Sequence, residues 1–69
     1  MKISYKKLWV LLIEREITKV ELREATGISA GTMSKMNKGE EVAMSVILRI
    51  CAYLKCDIGD VCEAFPLDQ

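Results

Sequence analysis

The chain has 69 residues and a mass of 7.8 kDa, which predicts a single domain spanning residues 1–69 and argues against an enzyme with a deep multi-step active site. Apolar residues make up 51% and charged residues 29% of the chain, a composition that excludes an intrinsically disordered protein. The net charge is zero, but residues 1–38 hold eight basic and four acidic side chains, while residues 39–69 hold two basic and six acidic ones. The excess of positive charge in residues 1–38 has two interpretations: a basic face that binds an anion, or the ordinary charged surface of solvated helices.

The first predicted helix runs from about Tyr5 to Glu16. Ser4 precedes it as a candidate N-cap, because a hydroxyl in that position can accept a hydrogen bond from a free amide of the first turn. Apolar residues recur at helical spacing, with two more that widen the stripe: Leu8, Leu11, Leu12, Trp9 and Ile13. One face of this helix is therefore expected to lie in the core.

The second predicted helix begins at Thr18 and ends at Gly27. Thr18 and Glu21 have the spacing of a capping box, in which each side chain accepts from the other residue's amide. Gly27 is the residue type that best tolerates the left-handed backbone at the end of a helix. The residues expected to face the core are Leu22, Ala25 and Ile28.

The third predicted helix, from Ala30 to Asn37 or Lys38, has an unusual composition. Ser29 is its candidate N-cap and Gly39 stops it. Only Met33 and Met36 are large and apolar, and we expect both in the core rather than in a partner groove. The rest of the helix is small or polar, which favours a bare outer face that approaches a ligand closely.

The fourth predicted helix runs from about Met44 to Leu54, and a short fifth helix follows a candidate cap formed by Asp57 and Asp60. The fifth helix is expected to end at Pro66, with Ile58, Val61, Cys62 and Phe65 as its apolar stripe. Ile3 is a candidate strand residue that would pair with the segment around Glu63 to Phe65. The predicted fold class is all-α, a compact arrangement of five helices with a core that includes Leu8, Leu12, Leu22, Ile28, Met33, Ile47, Ile50, Leu54 and Val61.

Three cysteines and the absence of His limit the possible chemistry. Ordinary Cys/His zinc sites and His-based acid–base catalysis are excluded, and the spacing of Cys51, Cys56 and Cys62 fits no usual thiolate metal site. We expect Cys51 and Cys62 to be buried structural thiols, and Cys56, in a loop, to be the one candidate for redox sensing. The longest apolar run, Leu8 to Ile13, is too short to cross a membrane, and the odd number of cysteines favours free thiols in a reducing cytoplasm. We therefore expect a cytoplasmic protein, and the residue types present lead us to expect no metal, cofactor or small-molecule ligand.

Two short helices joined by the Gly-Ile-Ser turn form a helix-turn-helix pattern. The stretch TKVELREATGISAGTMSKMNKGE, residues 18–40, resembles the Cro and lambda-repressor-like helix-turn-helix superfamily. The Leu-Leu-Ile-Glu segment before it, and the segment from Ile47 to Val61 after it, resemble the first, fourth and fifth helices of that family. The resemblance therefore covers nearly the whole chain.

The resemblance implies a sequence-specific DNA-binding transcriptional regulator, a repressor, which binds an inverted-repeat operator as a homodimer with half-sites about 34 Å apart. It places three residues of the lambda-repressor-like recognition helix against base edges in the major groove: Ala30, Gly31 and Lys35. It places six residues where phosphate contacts are expected: Thr18, Lys19, Thr32, Ser34, Asn37 and Lys38. Phe65 and Leu67 are candidate dimer contacts, because a small core gains from association.

The sequence departs from the family pattern at three places. Arg23 stands where the family often has a small residue for close helix packing, so its stem must lie along the surface. Ala43 replaces the usual Ser or Thr at the cap of the fourth helix. Ala30 and Gly31 cannot form bidentate hydrogen bonds to bases. A protein-interaction adaptor or antitoxin-like partner that has lost DNA readout is therefore the alternative hypothesis.

Overall fold

Five helices and one pair of short strands make up residues 1–67, the part of the chain that the computed structural model describes. In chain order they are β1 (Lys2–Ser4), α1 (Lys6–Glu14), α2 (Lys19–Thr26), α3 (Ala30–Asn37), α4 (Met44–Leu54), α5 (Ile58–Val61) and β2 (Glu63–Phe65). The helices confirm the mostly helical fold, and the strands make the all-α description approximate. None of the helices in residues 1–67 has the length and apolar character needed to cross a membrane.

The strands bring the two ends of the described chain together. β1 and β2 pair in antiparallel register with Ile3 opposite Ala64, which confirms the pairing predicted for Ile3. The prediction that the fifth helix continues to Pro66 is wrong. Cys62 adopts an extended backbone with φ −148° and ψ 163°, so α5 ends at Val61 and the following residues pair with β1.

The first helix is shorter than predicted at both ends. Ser4 belongs to β1, and Tyr5 rather than Ser4 occupies the N-cap position of α1, although the Ser4 hydroxyl still accepts a hydrogen bond from the Lys6 amide at 3.3 Å. At the other end, Glu16 has a φ of 57°, a left-handed conformation that a helix cannot contain. The chain therefore leaves α1 after Glu14 and turns towards α2.

The caps around the helix-turn-helix form as the sequence predicts. The Thr18 hydroxyl accepts from the Glu21 amide at 3.0 Å, and the Glu21 carboxylate accepts from the Thr18 amide at 3.2 Å. Ser29 accepts from the Thr32 amide at 3.2 Å, so α3 begins at Ala30 as predicted. The capping box of Asp57 and Asp60 at α5 is also present, whereas Ala43 supplies no side-chain cap to α4.

All nine predicted core residues are buried, and Tyr5, Met36 and Val46 join them. Tyr5 can lie in the core because its hydroxyl donates to the carbonyl of Glu40 at 2.8 Å, which satisfies the polar atom. The buried set spans all five helices, so α2 and α3 are fixed to one shared core.

Two of the predicted inward-facing residues lie at the surface. Ala25 is exposed, and Thr26 is buried in its place. Thr26 lies four residues after Leu22 on the same helix face, and its hydroxyl donates to the Leu22 carbonyl at 2.7 Å. Ile13 is 76% exposed because the core-facing stripe of α1 follows Leu8 and Leu12, so it does not widen that stripe.

Gly27 is expected to be needed at the turn between α2 and α3. Its φ of 72° lies in the left-handed region, and an added Cβ would meet nothing closer than the Arg49 guanidinium at 3.8 Å. Gly27→Ala is therefore expected to lower the free energy of unfolding by about 1–2 kcal/mol through backbone strain alone.

Gly59→Ala is the control, since Gly59 has neither a positive φ nor an atom within 4 Å of the added Cβ. It is expected to raise stability by about 0.4–1 kcal/mol. Urea unfolding measures both changes, and equal losses in the two variants would contradict the argument.

The cysteines are less buried than predicted. Cys51, Cys56 and Cys62 are all free thiols of intermediate exposure packed against the edge of the core, so the expectation that Cys51 and Cys62 are buried is wrong. Cys51 lies on α4, Cys56 in the loop between α4 and α5, and Cys62 at the C-cap of α5. Within residues 1–67, no three Cys, Asp or Glu side chains converge into a potential metal site.

Stability is expected to fall at alkaline pH because of two of these thiols. Burial raises the pKa of Cys56 and of Cys62, with the neighbouring Cys51 raising the pKa of Cys56 further. Folding therefore favours the protonated thiols, and this contribution is complete below the unfolded-state pKa near 9.0 and is lost as the pH rises through the higher folded-state values. The melting temperature of the wild type should fall more between pH 8 and pH 11 than that of the double variant Cys56→Ala, Cys62→Ala. Parallel pH profiles would contradict this expectation.

Candidate nucleic-acid interface

The outer face of α3 is bare and accessible along its whole length. Met33 and Met36 are 7% and 1% exposed and anchor the helix to the core, which confirms their predicted role. The residues left exposed on the other side are Ala30, Gly31, Ser34, Lys35 and Asn37, followed by Lys38 at the C-cap. All but one of the predicted contact residues of α3 therefore share a solvent-facing surface, and Lys35 is the one long cationic side chain near its centre.

The turn between α2 and α3 is fixed by contacts from both sides. Before the turn, the fully buried Leu22 holds α2 against the core. At the end of α2, the carbonyl of Thr26 accepts a hydrogen bond from the Arg49 guanidinium of α4 at 3.3 Å, which satisfies an acceptor that the helix itself leaves free. Arg23 is half-buried, as expected for a stem that lies along the surface. These contacts fix the end of α2, from which the turn leads into α3.

Lys19 connects the start of α2 with the end of α3. Its ammonium donates a hydrogen bond to the Asn37 side-chain oxygen at 2.7 Å and lies 4.1 Å from the centroid of the Trp9 ring. The second contact is a cation–π interaction, which restrains the long side chain. Two of the predicted phosphate-contact residues are thus brought together. Trp9 was assigned only to the apolar stripe of the first helix, because no local pattern reveals a contact with a residue ten positions away.

The hydroxyl groups of the other candidates have different surroundings. The Thr18 hydroxyl is part of the α2 capping box, and the half-buried Thr32 hydroxyl accepts from Ser29 Oγ at 3.0 Å. Ser34 and Lys38 are exposed on either side of the Lys35 position. The predicted phosphate-contact residues therefore lie at the start of α2 and along α3 to its C-cap.

The two candidate dimer contacts lie at the end of the described chain. Phe65 is half-buried in β2, directly opposite Lys2 of β1. Leu67 follows Pro66 and is 72% exposed. These two residues lie outside the helix-turn-helix.

The family of the chain follows from its match to known sequences. The family model described as the Cro/C1-type HTH DNA-binding domain matches residues 7–66, a range that includes α2 to α5 in full and all of α1 except its first residue. The chain belongs to this family. The Cro/C1-type assignment agrees with the capped α2–α3 pair.

Two similar proteins are named as transcriptional regulators. The solved crystal structure of the transcriptional regulator VanUg is 54% identical, covers 94% of this chain and 87% of its own, and superposes with a TM-score of 0.92. The uncharacterized HTH-type transcriptional regulator YozG of Bacillus subtilis strain 168 is 34% identical over 56 residues, which span 78% of this chain and 67% of YozG. The likeness to VanUg thus extends well beyond the helix-turn-helix, over 94% of this chain.

Proposed function

We propose that residues 1–69 act as a single DNA-binding domain of a cytoplasmic transcriptional repressor, which places α3 in the major groove of an inverted-repeat operator. Membership of the Cro/C1-type family supports DNA binding and transcriptional regulation as the function. The single observation that carries the placement of α3 is the division of that helix, with Met33 and Met36 in the core and a bare opposite face. A helix of this kind can lie close to the edges of base pairs.

Within α3, the proposed roles follow from side-chain chemistry. Lys35 reads a guanine through its O6 or N7 atom, because it is the long donor on the exposed face. Ala30 offers a methyl group for contact with a thymine methyl, and Gly31 offers clearance for the duplex. With so few base-reading groups, DNA shape at positions that the protein does not touch contributes to specificity.

The proposed phosphate contacts come from the start of α2 and from α3 with its C-cap. They are Thr18, Lys19, Thr32, Ser34, Asn37 and Lys38. The contact between Lys19 and Asn37 supports the assignment, because it places an ammonium and an amide beside each other before DNA arrives. A restrained lysine loses less side-chain entropy when it binds a phosphate than a freely rotating one.

The proposed assembly is a homodimer formed through Phe65 and Leu67. The exposure of Leu67 supports this proposal, since a large apolar side chain in contact with water gains from burial against a second copy. Two recognition helices would then enter successive major grooves about 34 Å apart.

Binding of the wild-type protein to random duplex DNA over a series of salt concentrations tests the function. We expect binding whose logarithmic affinity falls linearly with the logarithm of salt concentration, because each neutralised phosphate releases counterions. The adaptor hypothesis, favoured by the lack of hydrogen-bonding groups at Ala30 and Gly31, predicts no such binding. Absence of binding at about 100 μM protein and low salt would contradict the proposed function, since non-specific affinities are typically in the range 10⁻⁴–10⁻⁶ M.

A further inference from the structure

A groove of about 310 Å³ runs between β1 and the C-terminal end of α3. Its lining includes Lys2 from β1, Lys6 from the first turn of α1 and Lys38 from the end of α3. Among the residues that the structure describes, the lining of this groove contains no carboxylate. All three lysines are exposed, so their ammonium groups can reach a ligand in the groove. The groove is therefore a local concentration of positive charge in a protein of zero net charge.

The groove adjoins the restrained lysine described above. Trp9 and Asn37 line the groove and are also the two residues that hold the Lys19 ammonium. The positive surface is thus continuous from Lys19, past the end of α3, to Lys2 on the first strand. A surface of this shape follows a chain of negative charges rather than a single anion.

We propose that this groove is an additional binding site for the backbone phosphates of the bound duplex, with Lys2 and Lys6 as the contacts. The inference rests on the proposed function, because α3 in the major groove brings one DNA strand to the end of α3, where Lys38 and Asn37 open into the groove. These contacts carry no sequence information, since they reach phosphates and not bases. They extend the footprint of the protein beyond the helix-turn-helix.

Lys7 provides an internal control. It is adjacent to Lys6 in α1 and equally solvent-facing, but its ammonium lies 3.6 Å from the Glu63 carboxylate and donates to the Gly59 carbonyl at 3.5 Å. It does not line the groove. Neutralising Lys7 therefore changes the net charge by the same amount as neutralising Lys2 or Lys6, but at a different place on the surface.

The test compares Lys2→Gln, Lys6→Gln and Lys7→Gln for binding to one duplex between 50 and 200 mM salt. Loss of one phosphate contact in each copy should make the slope of log affinity against log salt concentration less steep by about 0.9. Between 50 and 200 mM salt, the loss of affinity of the Lys2 and Lys6 variants should therefore be smaller than that of the wild type by a factor of about 3.5. The Lys7 variant should keep the wild-type slope. Lys6 also borders a neighbouring groove that contains Glu14 and Glu63, so Lys2 gives the sharper comparison.

The outcomes of this test distinguish a failure of the groove proposal from a failure of the proposed function. Equal slopes for all three variants and the wild type, with binding retained, would overturn the groove while leaving the helix-turn-helix as the DNA-binding element. Equal reductions in all three variants, Lys7 included, would show a general effect of net charge and would also overturn it. Failure of the wild type itself to bind duplex DNA would overturn both. Circular dichroism melts check that the exposed substitutions leave the fold intact.

Discussion

Replacing Leu22 with alanine is expected to lower the free energy of unfolding by about 2–5 kcal/mol. The side chain is fully buried and holds α2 of the helix-turn-helix against the core, so truncation removes apolar contacts and leaves a cavity. A chain of 69 residues has a total stability of about 3–10 kcal/mol. The substitution is therefore expected to leave a large fraction of the protein unfolded at physiological temperature. Thermal and urea unfolding followed by circular dichroism would measure the change.

Ile13→Ala serves as the control for this experiment. Ile13 is an aliphatic residue of the same size in α1, but it is 76% exposed. Its truncation should change stability by no more than about 0.5 kcal/mol, because surface substitutions remove few contacts. Comparable losses for Leu22→Ala and Ile13→Ala would contradict the core described here.

Lys35→Ala is expected to weaken binding to the cognate operator by about 1–3 kcal/mol and to relax preference at one base position in each half-site. The reason is that Lys35 is the long donor on the bare face of α3, whereas its exposed neighbours there are small or uncharged. Binding isotherms on the cognate and on a scrambled duplex, at several salt concentrations, would measure both effects. The loss should be large on the cognate duplex and small on the scrambled one.

Lys19→Ala and Lys38→Ala are the matched comparisons, since each also removes one lysine. Both are expected to weaken binding to cognate and scrambled duplexes nearly equally and to lower the salt slope by about 1 per contact. Equal losses on both duplexes for Lys35→Ala would instead make Lys35 another phosphate contact. Specificity would then have to come from DNA shape and from the short side chains of α3.

Local sequence patterns were sufficient to predict the elements that carry the proposed site. Thr18 with Glu21, Gly27 and Ser29 each act within one turn of a helix, so the neighbouring residues determine the outcome, and the structure confirms all of them. The core was predicted for the same reason, because the apolar residues of α1 and α4 recur at helical spacing. The composition of α3 predicted its bare outer face, and the resemblance of residues 18–40 to a known family implied DNA contact as the role of that face.

The features that were missed depend on contacts between distant parts of the chain. The stripe through Ile58 continues at helical spacing to Phe65, yet α5 ends at Val61 and Phe65 lies in β2, which pairs with β1. Thr26, buried in place of Ala25, is an exception, since its hydroxyl donates to a carbonyl one turn earlier on its own helix. The groove lysines and Trp9 show the same limit, since a sequence records an excess of positive charge in residues 1–38 but not where those charges meet.

The short ladder between β1 and β2 has a consequence for the dynamics of the protein. Each strand has only three residues, and the ladder joins opposite ends of the described chain without any fully buried side chain of its own. Such an element opens at a lower free energy than the helical core, so its backbone amides should exchange with solvent before those of α4. Lys2 is carried by this ladder. A phosphate held by Lys2 would oppose the opening, and DNA would then slow amide exchange at a strand that lies outside the recognition helix.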